Sequence, residues 1–293
     1  MTTQVIETHA GRRLCIEVAG DPDGDVIVFH NGSPNSRLLY PPDADDAVGR
    51  GACLVGYDRP GYGGSTRRAG RSVAAAVDDL RAIAAALGVD RLVTWGISGG
   101  GPHALACAAL APDLVAAAAA LASVAPYDAP GLEFFEGMGE RNIEDFRFAA
   151  DDPDAAAVKT AAVAEAMLQA TAEDLLGQWA TILSPADAAA VSGELAAYMI
   201  DSLQTGLGPG PGGWIDDGAA FVHPWGFDPA DIAIPVQLWH GRQDRFVPFG
   251  HGRWLAGRIP GVDAHLNDTD GHLTLLRRVP DVHAWLLAQL RQT

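Results

Sequence analysis

Hydrophobic and polar positions change their rhythm along the chain in a regular way. Arg13–Val18 and Val26–His30 read as short strands, and the second is an unbroken apolar run, as suits a strand buried on both faces. Cys53–Tyr57 and Leu92–Trp95 repeat that character. Between them Val73–Leu87 carries apolar side chains at helical spacing and stops at Gly88, a natural C-terminal cap. Pro102–Leu110 reads as another helix, ending before Pro112. Val115–Ser123 is rich in alanine, which favours helix, yet its place in the alternation and its stop at Val124-Ala125-Pro126 predict a strand. Strands alternating with helices imply a mostly parallel sheet flanked by helices on both faces.

From Pro130 to Trp225 the pattern turns helical. Asp154–Ala170, Ala172–Leu183 and Pro185–Leu203 are amphipathic, and Gly206–Gly213 reads as a loop. Alternation then resumes with the strand Val236–His240, a helix near Gly250–Arg258, the strand Val262–Leu266 and a closing helix from Pro280 to Gln292. The predicted organisation is one α/β domain, 1–129 and 227–293, interrupted by a helical cap at 130–226.

Composition narrows the function classes. The 293 residues are 48% hydrophobic and 19% charged, so the chain can build a core without disulfide or metal. Against 37 acidic residues stand 20 Lys and Arg, a formal charge of −17 that argues against nucleic acid or an anionic membrane surface as a partner. The chain holds 34 glycines and a single lysine, Lys159, a bias that breeds accidental glycine motifs, so any such motif needs support. Cys15, Cys53 and Cys107 are widely spaced among apolar neighbours, which suits buried thiols in a reducing compartment. Met1–Glu7 has no basic stretch leading into an apolar core, and the apolar run Leu114–Val124 is too short to span a bilayer. A cytoplasmic protein is expected; the sequence leaves its oligomeric state open, a homodimer being one option.

One glycine motif has support. Leu92–Trp95 runs into Gly96-Ile97-Ser98-Gly99-Gly100, then Gly101 and a helix, which is G-x-S-x-G in a strand–turn–helix setting. Such a turn lifts a serine hydroxyl clear of the sheet and aims a helix N-terminus at it. The later strands end on Asp244 and His272, each in the loop beyond a carboxyl end, where sites form in open α/β sheets.

The order Ser98, Asp244, His272 resembles that of the α/β-hydrolase superfamily, and the likeness runs over essentially the whole chain. His30-Asn31-Gly32-Ser33-Pro34 is similar to the family's oxyanion loop, with Asn31 where the family usually has His. Asp58-Arg59-Pro60-Gly61-Tyr62-Gly63-Gly64-Ser65 resembles its structural Asp-x-Pro-Gly-x-Gly-x-Ser turn. The resemblance implies an α/β-hydrolase fold, a triad of Ser98, His272 and Asp244, and an oxyanion hole from the backbone N–H groups of Ser33 and Gly99. Asp128 is the alternative acid, since some relatives place the acid after the preceding strand. Candidate pocket residues are His30, Asn31, Tyr127, Phe134 and Trp214; Phe135, Met138, Trp179, Tyr198 and Met199 suit either a pocket or the cap's own core.

The expected activity is hydrolysis of an ester or lactone of a small, largely apolar molecule through an acyl-enzyme, with no cofactor and no metal. Ser98 stands where epoxide hydrolases and haloalkane dehalogenases use Asp, and the motif departs from the Gly-Gly-Ser-Trp-Gly-Ser of proline iminopeptidases. Carbon–carbon bond hydrolases, thioesterases, acyltransferases, other aminopeptidases, cofactor-free oxygenases and non-turnover small-ligand receptors share the triad and remain open alternatives.

Overall fold

A computed structural model describes residues 1–191 and 193–292. Eight strands form one sheet: β1 (Thr2–Glu7), β2 (Arg13–Gly20), β3 (Asp25–His30), β4 (Ala52–Tyr57), β5 (Leu92–Ile97), β6 (Val115–Leu121), β7 (Val236–Gly241) and β8 (Asp263–Asn267). Their spatial order is β1-β2-β4-β3-β5-β6-β7-β8. Only β2 pairs antiparallel, with β1 and β4; every other pairing is parallel. The carboxyl ends of β3 to β8 therefore open on one edge.

Alternate residues of the central strands feed opposite layers, as the two-residue period requires. Ile27, Phe29 and Trp95 pack with Ala44 and Ala47 of α1 (Pro41–Gly49) and with Val279, Val282 and Leu286 of α11 (Val279–Leu290). Val26, Val28 and Val55 pack on the other side with Leu80 and Ile83 of α2 (Ala76–Leu87) and Cys107 of α3 (Gly101–Leu110). The alanine-rich segment is strand β6, buried along its full length. Its position between β5 and β7 overrides alanine's helix preference, and its small side chains let α3 approach closely. All three cysteines are buried free thiols. Gly88 caps α2 with φ +69°, in the left-handed region that favours glycine.

Between β6 and β7 the chain forms α4 (Glu140–Asp151), α5 (Pro153–Leu168), α6 (Ala172–Gln178), α7 (Pro185–Ala190), α8 (Gly193–Leu207) and α9 (Gly212–Val222). Met167, Leu175, Trp179, Ile182 and Leu203 form a separate apolar cluster there, joined by Leu273 from beyond β8. After β7 comes α10 (Phe249–Arg258). Among the described residues no helix is long and apolar enough to cross a membrane.

Several boundaries differ from the sequence expectation for identifiable reasons. The predicted helix Pro185–Leu203 is two helices, and position 192 between them lies outside the described residues. The predicted loop Gly206–Gly213 shortens at both ends, because α8 runs to Leu207 and α9 starts at Gly212. Strand β1 was hidden because it is an exposed edge strand without an apolar run. Helix α1 opens on Pro41-Pro42, which reads as a turn yet suits the first helical positions.

Candidate active site

Strand β5 ends in a turn that forces Ser98 to φ +55°, a left-handed conformation that only a firmly packed surround maintains for a side-chain-bearing residue. The surround is visible in the flanking glycines. A Cβ on Gly96 would overlap the carbonyl of Gly100, and one on Gly100 would overlap the carbonyl of His30. The turn is thus wedged against the end of β3, and α3 begins immediately beyond it with its N-terminus toward the serine.

Asp244 follows β7 and His272 follows β8. Asp244 Oδ2 lies 2.7 Å from His272 Nδ1, while Oδ1 accepts hydrogen bonds of 2.9 Å from the backbone N–H of both Phe246 and Val247. Both side chains are buried, and the Phe246 ring stacks on the imidazole at 4.7 Å. Burial pulls the His272 pKa down, but the charge of Asp244, its hydrogen bond and the charge of Asp187 outweigh that, leaving it above the ordinary histidine value. Asp128, the alternative acid, is exposed in the turn beyond β6, and the acid on the imidazole is Asp244.

Two carboxylates of the insertion hold the loops around this pair. Asp187 of α7 is fully buried and accepts from the backbone N–H groups of His272 (3.0 Å), Leu273 (2.7 Å) and Thr274 (3.1 Å). Asp217 of α9 is also fully buried and meets Arg59 Nη2 at 2.7 Å, Arg71 Nη2 at 2.6 Å, Tyr62 Oη at 2.8 Å and Ser33 Oγ at 2.5 Å. Burial alone would raise the Asp217 pKa; the two guanidinium groups outweigh it and hold the carboxyl far below its usual range. His103 sits 3.9 Å from the same carboxylate, yet burial and then Arg59 lower its pKa to about 3, so it stays neutral, with Nδ1 at 2.8 Å from the Gly99 carbonyl.

Arg59 also donates to the carbonyl of Asn31 and, at 2.9 Å, to Ser33 Oγ. Asn31 closes the loop from its other side: its Oδ1 accepts from Gly32 N at 2.8 Å, and its Nδ2 donates to Ser36 O and Tyr198 Oη, both at 3.1 Å. An amide therefore anchors this loop from within. The Ser33 N–H makes no backbone hydrogen bond among the described residues, and a Cβ on Gly99 would stand 2.7 Å from Ser33 Oγ. Ser33 and Gly99 are thus neighbours beside Ser98.

A cavity of ≈ 200 Å³ opens at Ser98, and Ser33, Gly99, Trp179, Trp214, Phe221 and Phe246 are in its wall. A second, of ≈ 90 Å³, shares Ser33 and Ser98 with it and is bordered by Asn31, Tyr198 and His272. Of the five pocket candidates, Trp214 and Asn31 border these cavities and the other three do not. His30 is wholly buried beneath the site, its Nδ1 at 2.8 Å from Tyr57 Oη. Tyr127 and Phe134 pack edge to face with each other and with neighbouring aromatic rings in a cluster of their own. Among the described residues no group of three or more His, Cys, Asp or Glu is placed to hold a metal ion.

Asp187, Asp217 and Arg59 escaped sequence reading because acids and arginines are ordinarily solvated, and Phe246 because nothing in its local pattern places its ring on His272. One signal was present: Asp217 falls on the same helical face as Gly213, Ala220 and Phe221, an acid at an apolar position of α9.

The fold has many relatives among solved structures. A thermophilic esterase from Thermogutta terrifontis is 20% identical, with a TM-score of 0.70 over 99% of this chain and 100% of its own. An enol-lactonase from Burkholderia xenovorans LB400 is 18% identical, with a TM-score of 0.67 over 98% of this chain and 100% of its own. A bromoperoxidase from Bacillus anthracis is 20% identical, with a TM-score of 0.71 over 99% of this chain and 100% of its own. No curated protein matches the chain in sequence. The model of the alpha/beta hydrolase fold matches residues 25–278, which take in the loop 30–34, the serine turn and the Asp244–His272 pair, and the chain belongs to that family.

Proposed function

We propose that this protein is a serine hydrolase that cleaves esters or lactones of small molecules through an acyl-enzyme. The observation that carries the reading is the Asp244–His272 pair at 2.7 Å, with His272 and Ser98 in the wall of one cavity. His272 Nε2 takes the proton of Ser98 Oγ as that oxygen attacks the carbonyl carbon. Asp244 fixes the imidazole tautomer with Nδ1 protonated and stabilises the imidazolium that forms. The tetrahedral oxyanion is received by the backbone N–H groups of Ser33 and Gly99, each such donor being worth about 3 kcal/mol in a transition state. The imidazolium then protonates the departing alcohol as the carbon–oxygen bond breaks. Water attacks the acyl carbon with His272 as base, and Ser98 leaves with its proton restored.

The insertion acts as a cap that supplies the apolar wall for the acyl chain: Trp179, Trp214, Phe221 and their neighbours suit a hydrocarbon or aromatic group. The esterase and enol-lactonase among the structural relatives carry activities of this type, which supports the reading. A fluorophosphonate probe and a panel of acyl esters test it on wild type and Ser98→Ala. Labelling and turnover that vanish in Ser98→Ala are expected; a variant as active as wild type removes Ser98 from the mechanism.

A further inference from the structure

The two cavities that meet at Ser98 differ in one respect that bears on the substrate. His272 borders the smaller cavity and not the larger one. A group leaving the acyl carbon must collect its proton from the imidazolium, so it departs on the His272 side. The smaller cavity is therefore the place of the leaving alcohol, and the larger one the place of the acyl chain.

The wall of the smaller cavity is largely apolar, with Phe29, Ile97, Met199 and Leu203 among its residues, but it contains Asp43 of α1. Asp43 is only 6% exposed, and its carboxyl has no hydrogen-bond partner among the described residues. The nearby polar groups are already engaged elsewhere: Tyr198 Oη donates to the Leu38 carbonyl and accepts from Asn31. Burial first, and the charge of Asp46 second, push the Asp43 pKa up to about 8. At neutral pH the group is an uncharged acid, offering one O–H donor and a carbonyl acceptor into the cavity. A buried polar group without a hydrogen-bond partner is costly, and the other part this one plays in the fold is as the first-turn acid of α1.

We propose that Asp43 is the specificity-determining residue of a leaving-group subsite, and that the alcohol it selects is short and tipped with an uncharged hydroxyl or carbonyl group. The inference rests on the ester-hydrolase reading above. A hydroxyl at the tip both donates to the acid's carbonyl oxygen and accepts from its O–H. An apolar tip strands the acid, and a cationic tip requires it to ionise beside Asp46.

The test compares 3-hydroxypropyl and butyl esters of 4-phenylbutanoic acid, which differ at the tip by hydroxyl against methyl. Wild type is expected to favour the hydroxypropyl ester in kcat/KM on the order of tenfold, the effect of one well-made hydrogen bond. Asp43→Leu, a substitution of matching shape, brings the ratio to about one, whereas Asp43→Asn, which keeps a donor and an acceptor, retains most of it. A wild-type ratio of one or below, or a ratio unchanged in Asp43→Leu, overturns the proposal. So does a wild type that prefers the 3-(dimethylamino)propyl ester, which is cationic. Calorimetric binding of the same esters to Ser98→Ala separates the two readings. If wild type turns over neither ester, the hydrolase reading fails, and the binding ratio with and without Asp43→Leu still decides the subsite.

Discussion

Asp217 and Arg59 face each other at 2.7 Å, both nearly inaccessible to water, across the boundary between the insertion and the sheet edge. Arg59 passes the contact on to Asn31 and Ser33, so a helix of the insertion is tied through one ion pair to the loop beside the candidate nucleophile. A buried pair of this kind adds little net stability over an apolar substitute, but removing one member strands the other. Asp217→Asn leaves Arg59 and Arg71 facing each other without a carboxylate, and we expect a loss of about 3–5 kcal/mol by urea unfolding. At temperatures where the variant is still folded, kcat should fall roughly 10–100-fold as Ser33 loses its anchor. An unchanged kcat would show that the loop holds its place without Asp217.

Asp187 makes the corresponding connection to the histidine loop. Its carboxylate accepts from three consecutive backbone N–H groups, 272 to 274, and its charge contributes to the raised pKa of His272. In the proposed mechanism His272 works as a base when neutral, so kcat/KM in wild type should rise with pH through a midpoint above the ordinary 6.5. In Asp187→Asn the charge is gone, and the midpoint should move down. The pH–rate profiles of the two proteins decide this, and a midpoint that stays put assigns Asp187 a purely structural part.

The Asp244–His272 contact makes a separate prediction. Asp244→Asn keeps the volume but presents an amide to Nδ1, favouring the wrong imidazole tautomer, and kcat should fall by roughly 10⁴-fold, as in serine triads generally. Since His272 is raised in the folded protein, the pair stabilises the fold most fully below pH 6.5 and less as pH climbs through the folded value. The stability deficit of Asp244→Asn should accordingly be larger at pH 5.5 than at pH 9.

The sheet and the serine turn were legible in the sequence because each strand is a short apolar run and the turn needs glycines at fixed places. Gly96 and Gly100 show why: neither tolerates a Cβ, so the spacing is dictated by contact with the backbone of Gly100 and His30. Even the alanine-rich β6 could be read, through its place in the alternation. The insertion was harder, since aromatic residues at helical spacing look alike whether they line a cavity, as Trp214 does, or pack on each other, as Phe134 does. The buried carboxylates were least legible, because what makes Asp43, Asp187 and Asp217 unusual is the three-dimensional surround and not the local pattern.

Glycine positions offer an internal comparison. Gly100→Ala forces a Cβ into the His30 carbonyl, and the protein should fail to fold or lose all activity. Gly257, exposed near the end of α10, has nothing within 4 Å of an added Cβ. Gly257→Ala should stabilise the protein by about 0.5–1 kcal/mol, through helix propensity and a less flexible unfolded chain. Thermal unfolding of the two variants separates contact from propensity.

Asp43 provides the last prediction, in which selectivity and stability oppose each other. An acid raised to about pH 8 by folding keeps its proton in the native state while the unfolded chain releases it near 3.8, the ordinary aspartate value. Over that range the native state binds more protons, so wild-type stability falls as pH rises from 4 to 8, then levels off. Tyr40 and Tyr198, the phenols beside it, have pKa values raised by burial and stay neutral throughout, and the charge of Asp46 on the same helix adds to the effect. Asp43→Leu removes the titrating group and fills its place with apolar atoms of the same shape. It should therefore be more stable than wild type at pH 8, by several kcal/mol at most, with the gap narrowing toward pH 4. Urea unfolding across that range tests the claim, and a gap of constant size would mean that Asp43 titrates as an ordinary carboxylate.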